Sequence, residues 1–139
     1  MINKFSGEYN FLSNFYPVEI FFEGMHYPTV EHAYQASKTI FPLIKRAIQL
    51  CKTPGQVKRL GNKTPLRGDW EDVKEFIMET LVSQKFSNDP ELIKKLVATG
   101  DEELVEGNSW GDTFWGVYNG VGRNNLGKIL MKVRRKLLE

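Results

Sequence analysis

The chain has 139 residues, 41% of them hydrophobic, with 19 Lys and Arg against 17 Asp and Glu for a formal charge of +2. That length suits one ordinary domain with a real core, and so mild a charge is no signal of a dedicated DNA-binding protein, although one basic patch fits within it and nucleic acid is not excluded. Cys51 is the single cysteine, which excludes an intrachain disulfide, and no run of ~18 apolar residues offers a membrane span.

The N-terminal "MINKFSGEYN" lacks the apolar stretch of a signal peptide, so the expected location is the cytoplasm. Strand character begins in "VEIFFEGMHY", where Val18, Ile20 and Phe22 alternate with Glu19, Phe21 and Glu23. Glu23-Gly24 then offers a turn into a short return strand around Met25–Tyr27. Thr29 is the natural N-cap of a helix in which Val30, Ala33, Tyr34 and Ser37 recur at helical spacing. Pro42 opens a second helix carrying Leu43, Ala47 and Leu50. "TPGQVKRLGN" predicts a third, with Thr53 as cap, Pro54 at its first position and Gly61 as its stop. Asp69 caps a longer helix in which Val73, Ile77, Leu81 and Gln84 share a face. Asp89 and Pro90 open the next, with Leu92, Leu96 and Val97 inward and Gly100 at the end. A last helix starts near Asn124 and runs through Leu126, Leu130, Val133 and Leu137. The fold class expected is α+β: a single compact, mostly helical domain over 1–139 with a small N-terminal antiparallel hairpin.

Two stretches carry chemistry. In "YPTVEHAYQASK", residues 27–38, Glu31, Gln35 and Lys38 fall at i, i+4 and i+7 and form one polar stripe. One reading is a solvated face, with Glu31 complementing the helix dipole. The other is the working side of an enzyme, because the apolar hairpin packs near this helix and a later loop supplies Glu106 and Asp112 to the same pocket. Two carboxylates flanking a glycosidic bond suffice for hydrolysis. A helix N-terminus favours an ionised carboxylate, so Glu31 suits the part of base or cation stabiliser better than that of acid. The second stretch is the loop 103–125, "ELVEGNSWGDTFWGVYNGVGRNN", unusually rich in glycine and large aromatics for a connection. Its glycine turn before Asn124 can seat a phosphate on a helix N-terminus, or be only a turn and a cap.

His26 and His32 have no ligand at metal-site spacing, since Glu31 and His32 point about 100° apart on a helix. Lys58, Arg59, Lys63 and Arg67 form a basic stretch, either a solvated face or a phosphate contact.

In order and spacing, "FLSNFYPVEI", "YPTVEHAYQASK", "LRGDW", "LVATGDEELVEGNSWGDTFWG" and "GRNNLGKILMKVR" resemble the signature segments of the NADAR (YbiA-like) family, from Phe11 to Arg134. The resemblance implies an N-glycosidase, acting either on ADP-ribosylated guanine bases or on ribosylamino intermediates of riboflavin synthesis. It implies no metal and no cofactor; the partners are ADP-ribose or a related nucleotide and ADP-ribosylated DNA. Carried over residue by residue, it implies Glu31 and Asp112 for chemistry and Ser13 and Asn14 at the pocket rim. Gln35 and Lys38 continue the Glu31 motif as ligand contacts, and Arg67, Asp69 and Trp70 form the "R-x-D-W" segment, with Arg67 on a phosphate and Trp70 also at the ligand. Asp112, Trp115 and Gly116 match "D-x-x-WG", with Glu106 and Trp110 just before. Asn124, Gly127, Met131 and Arg134 match the closing motif. Trp110 or Trp115 is the expected base-stacking ring. Two other classes use the same residues: a non-catalytic ADP-ribose or NAD sensor, and a nucleic-acid adaptor resting on the stretch from Lys58 to Arg67.

Overall fold

The computed structural model describes Met1–Glu139. Its contacts fall into two units: Asn14–Lys85, continuous in sequence, and Met1–Ser13 together with Phe86–Glu139.

The first unit opens with β1 (Ile20–Phe22) and β2 (Met25–Tyr27), an antiparallel pair with Ile20 opposite Tyr27 and Phe22 opposite Met25. Glu23 and Gly24 both have positive φ, 50° and 83°, as the tight two-residue hairpin turn requires. No third strand follows. Instead the side-chain amide of Gln84 accepts from the Phe21 N–H at 2.7 Å and donates to the Phe21 carbonyl at 2.8 Å.

Four helices complete the unit: α1 (Val30–Ala36), α2 (Pro42–Gln49), α3 (Pro54–Lys63) and α4 (Trp70–Lys85). Thr29 caps α1 as expected. In α3 the Thr53 hydroxyl accepts the Gln56 N–H, while the Gln56 side chain accepts the Lys52 N–H, a near relative of the capping box. Gly61 is not the stop: α3 runs on to Lys63, and the glycine sits inside it. α1 packs on α2, α3, α4 and both strands, so every residue from Val30 to Ala36 is buried. A helix covered on all sides needs no amphipathic pattern, and that is why polar side chains on α1 carry meaning. By contrast, α2 buries Ile48 while Leu43 stands 85% exposed, so the apolar stripe read along this helix faces outward.

The second unit holds a short 3-10 helix (Gly7–Leu12), α5 (Pro90–Ala98) and α6 (Asn125–Leu137). The Asp89 carboxylate caps α5 by accepting the Glu91 and Leu92 N–H groups. Ile2 lies between the later residues of this unit: its N–H donates to Glu103 O and its carbonyl accepts from Val105 N–H, both at 2.8 Å. Arg134, buried on α6, donates to the Thr99 hydroxyl at 2.8 Å. In the long loop, Tyr118 and Val121 bond each other through both backbone groups around Asn119 and Gly120, both at positive φ. The Asn-Gly pair thus makes the same kind of turn as Glu23-Gly24. The fold is of the α+β class, mostly helical with one two-stranded antiparallel sheet. No helix is long and apolar enough to cross a membrane.

Candidate functional site

The Thr29 hydroxyl accepts the His32 backbone N–H at 3.0 Å and lies 2.7 Å from His32 Nδ1, while His32 Nε2 faces the Cys51 carbonyl at 2.9 Å. A carbonyl only accepts, so Nε2 carries the proton and Nδ1 accepts from Thr29. One ring nitrogen is spent on the cap of α1, and the other ties the helix to the chain after α2. His32 is a structural residue. Nowhere do three or more His, Cys, Asp or Glu side chains gather as a metal site needs.

Glu31 and Gln35 are 7% and 6% exposed, so the solvated-face reading fails for both. The Glu31 backbone N–H donates to the Asn14 carbonyl at 3.0 Å. Its side-chain Oε1 accepts from Gln35 Nε2 at 2.8 Å. Asn14 in turn places its amide 3.5 Å from the Met78 sulfur. Lys38 is half-buried, its ammonium 5.9 Å from the Tyr34 ring centre. Burial pulls its pKa below the ordinary lysine value, and the negative charge of Glu31 works against that pull. Asn14, Glu31, Gln35 and Lys38 therefore form one connected polar group.

Arg67 and Trp70 border it: the Arg67 backbone N–H donates to the Lys38 carbonyl at 2.7 Å. Arg67 Nε lies 2.6 Å from Asp69 Oδ1 and a terminal nitrogen 3.2 Å from Oδ2. That paired contact raises the Arg67 pKa and lowers that of Asp69. The sequence offers this guanidinium to a phosphate, whereas the structure commits its fork to Asp69. Trp70, expected at the ligand, is 4% exposed and packs on Tyr34 with ring centres 5.2 Å apart. It is a wall of the core behind α1.

Sequence reading passes over Lys85. This residue ends α4 at 2% exposure, with its ammonium 5.5 Å from the Tyr16 ring centre. Burial pulls its pKa down to about 7. The signal was present, because Ile77, Leu81 and Lys85 recur every four residues on the buried face. A lysine on such a stripe reads as a snorkelling surface residue unless its head group is known to be enclosed.

In the other unit, Asp112 organises the aromatic loop. Its Oδ1 accepts the N–H groups of Phe114 at 3.1 Å and Trp115 at 2.9 Å. Asn108 holds the same turn, accepting the Asp112 N–H at 3.0 Å and donating to its carbonyl at 2.9 Å. Gly116 has no room for a side chain, since a Cβ there falls 2.3 Å from the Glu106 carbonyl and 2.5 Å from Glu106 Oε2. Trp115 is half-buried, edge-on to Phe114 at 4.8 Å, and Trp110 is 57% exposed. The Ser13 N–H closes the 3-10 helix on Asn10 O.

Asn124 does not cap α6 with its side chain. It takes left-handed φ, 54°, and its amide bridges the Leu104 carbonyl and the Glu106 N–H, each at 2.9 Å. The phosphate seat expected at this helix start is also taken. The N–H groups of Asn124, Asn125 and Leu126 donate to the carbonyls of Gly116, Phe114 and Trp115. An opening of about 430 Å³ lined by Pro17, Val18, Glu19, His26, Tyr27 and Pro28 holds none of the candidate residues.

A sequence profile described as the NADAR domain matches residues 3–138. The chain belongs to the NADAR family. It is 42% identical over 139 residues to an N-glycosidase of Nostoc punctiforme, covering 93% of this chain and 86% of that protein. It is also 40% identical over 134 residues to a riboflavin biosynthesis protein of Vibrio vulnificus, 94% of this chain but only 36% of that longer protein. The solved structure of Escherichia coli YbiA aligns with a TM-score of 0.84 at 34% identity, covering 99% of this chain and 87% of YbiA. Both the family and the fold class expected from the sequence motifs are thereby shown.

Proposed function

We propose that this NADAR-family chain is an N-glycosidase that hydrolyses the bond between a ribosyl anomeric carbon and nitrogen, and that its substrate is ADP-ribose carried on a guanine base of nucleic acid. The observation that carries the reading is Glu31: a carboxylate buried in a helix with no solvated face, its Oε1 held by an amide N–H. Cleavage of the C–N bond builds positive charge on the anomeric carbon. A positioned carboxylate stabilises that charge or takes a proton from attacking water. The water oxygen bonds to carbon, and the departing nitrogen leaves with a proton. Lys85 is the second group with fitting chemistry, because an amine with pKa near 7 is substantially neutral at neutral pH and serves as base or nucleophile. Asp112 remains the proposed partner carboxylate, with one oxygen already committed to the loop.

Charge favours a nucleic-acid substrate. Between Glu31 and Asp69 the sequence has no Asp or Glu, yet it carries Lys and Arg throughout, with Arg46, Lys52, Arg59 and Lys63 exposed. Such a segment suits a phosphate backbone. The second reading, a ribosylamine of riboflavin synthesis, draws on the name of the Vibrio vulnificus relative.

The deciding experiment incubates the protein with an oligonucleotide bearing ADP-ribosylated guanine and follows free ADP-ribose, with Glu31→Gln in parallel. Release by wild type and a loss of at least about a thousandfold in the variant are expected. Release from riboflavin-pathway ribosylamines alone would overturn the nucleic-acid substrate. Tight ADP-ribose binding with no turnover of either substrate would make the protein a sensor.

A further inference from the structure

We infer that Gln35 is a positioning residue for Glu31, and that Gly61 of α3 exists to make room for it. The inference rests on the reading of Glu31 as the working carboxylate, and it moves Gln35 from the ligand contacts to a supporting role.

Two features that weaken a fold meet at one hydrogen bond. The first is the glutamine amide. Its Nε2 donates to Glu31 Oε1 at 2.8 Å, and its Oε1 is buried without a hydrogen-bond partner. A buried acceptor left unsatisfied forfeits the hydration it had in the unfolded chain. Turning the amide over would bring oxygen against oxygen at the carboxylate, so Glu31 itself dictates the orientation.

The second feature is Gly61, a glycine within the last turn of α3, where alanine is the better helix former. A Cβ at Gly61 would lie 2.0 Å from Gln35 Oε1, 2.7 Å from its Cδ and 3.2 Å from its Cβ, all atoms of the one side chain. The glycine leaves a slot shaped for Gln35. Stability is given up twice around the contact that fixes Glu31. Buried unsatisfied groups and unfavourable local choices in a native protein are expected where function requires them.

This arrangement also explains the spacing of the motif. Residues 31 and 35 lie one helical turn apart, so the amide reaches back along α1 to the carboxylate. The contact holds Oε1 and so restrains the carboxylate as a whole.

The test reads Glu31 directly and needs no substrate: its side-chain carboxyl carbon is followed by 13C NMR against pH in wild type, Gln35→Met, Gly61→Ala, Gln35→Ala and the Gln35→Ala/Gly61→Ala pair. Losing a donor to the ionised form moves the titration midpoint up by about one unit in Gln35→Met. Gly61→Ala produces a similar rise alone and little further change in the Gln35→Ala background, because the atom it displaces is gone. In turnover, Gln35→Met lowers kcat by about ten- to a hundredfold and leaves KM within about twofold. Thermal midpoints show which variants are folded, and Gln35→Met keeps the volume if Gln35→Ala fails. An unmoved Glu31 titration, or a raised KM at constant kcat, overturns the positioning role. An equal effect of Gly61→Ala in both backgrounds overturns the part given to the glycine. Full activity in Glu31→Gln, by contrast, overturns the reading of Glu31 itself.

Discussion

The Lys85 ammonium lies 5.5 Å from the Tyr16 ring centre in surroundings that leave the lysine 2% exposed. Burial lowers its pKa from 10.5 to about 7. Below pH 7 both folded and unfolded chains carry this proton, and folding bears the full cost of burying the charge. Between about pH 7 and 10.5 only the unfolded chain holds it, so stability rises with pH, and above that range the cost has vanished. The stability of the wild type relative to Lys85→Met is expected to rise by on the order of a few kcal/mol from pH 6 to pH 10. Urea titrations of both proteins at the two pH values check this. The same variant loses turnover if the amine takes part in chemistry.

His32 links Thr29 to Cys51 through both ring nitrogens. Replacing it with alanine removes both bonds and leaves the Cys51 carbonyl without this partner. A loss of about 2–4 kcal/mol is expected in chemical denaturation. A metal role for this residue would instead show as activity restored by added zinc in chelator-treated wild type.

Asp112 separates structure from chemistry by a pair of substitutions. Asparagine keeps an oxygen for the Phe114 and Trp115 N–H groups, whereas alanine removes it. Asp112→Ala should cost about 1–2 kcal/mol of stability and Asp112→Asn much less. If Asp112→Asn is stable yet more than a hundredfold slower, on the order expected for a lost general acid or base, its charge belongs to the mechanism. Near-normal turnover would confine Asp112 to building the loop.

The basic run between Glu31 and Asp69 yields a salt dependence. Binding to an unmodified oligonucleotide should weaken steeply with added salt, and Arg59→Glu/Lys63→Glu should flatten the logarithmic slope by roughly two. Fluorescence anisotropy at several salt concentrations measures it. A salt-independent affinity would leave the ribosylamine as the better substrate.

Helix starts were legible because their chemistry is local: Thr29, Thr53 and Asp89 each cap the helix the sequence assigns to them. The tight turn at Glu23-Gly24 was legible for the same reason. What failed depended on distant neighbours. Gly61 reads as a helix stop until Gln35 is placed against it. Asn124 reads as a cap until its amide is seen bridging Leu104 and Glu106. Trp70 reads as a ligand ring until Tyr34 covers it. Burial of Glu31 could not be read from a stripe of polar residues, because periodicity reports a helix's faces and not what packs on them.

The chain order of the contacts sets a timetable for synthesis. Asn14–Lys85 is continuous, so every contact within it becomes available once that stretch has left the ribosome. Ile2 precedes that unit in the chain but bonds Glu103 and Val105, and so stays unpaired until a stretch beyond the whole of Asn14–Lys85 has been made.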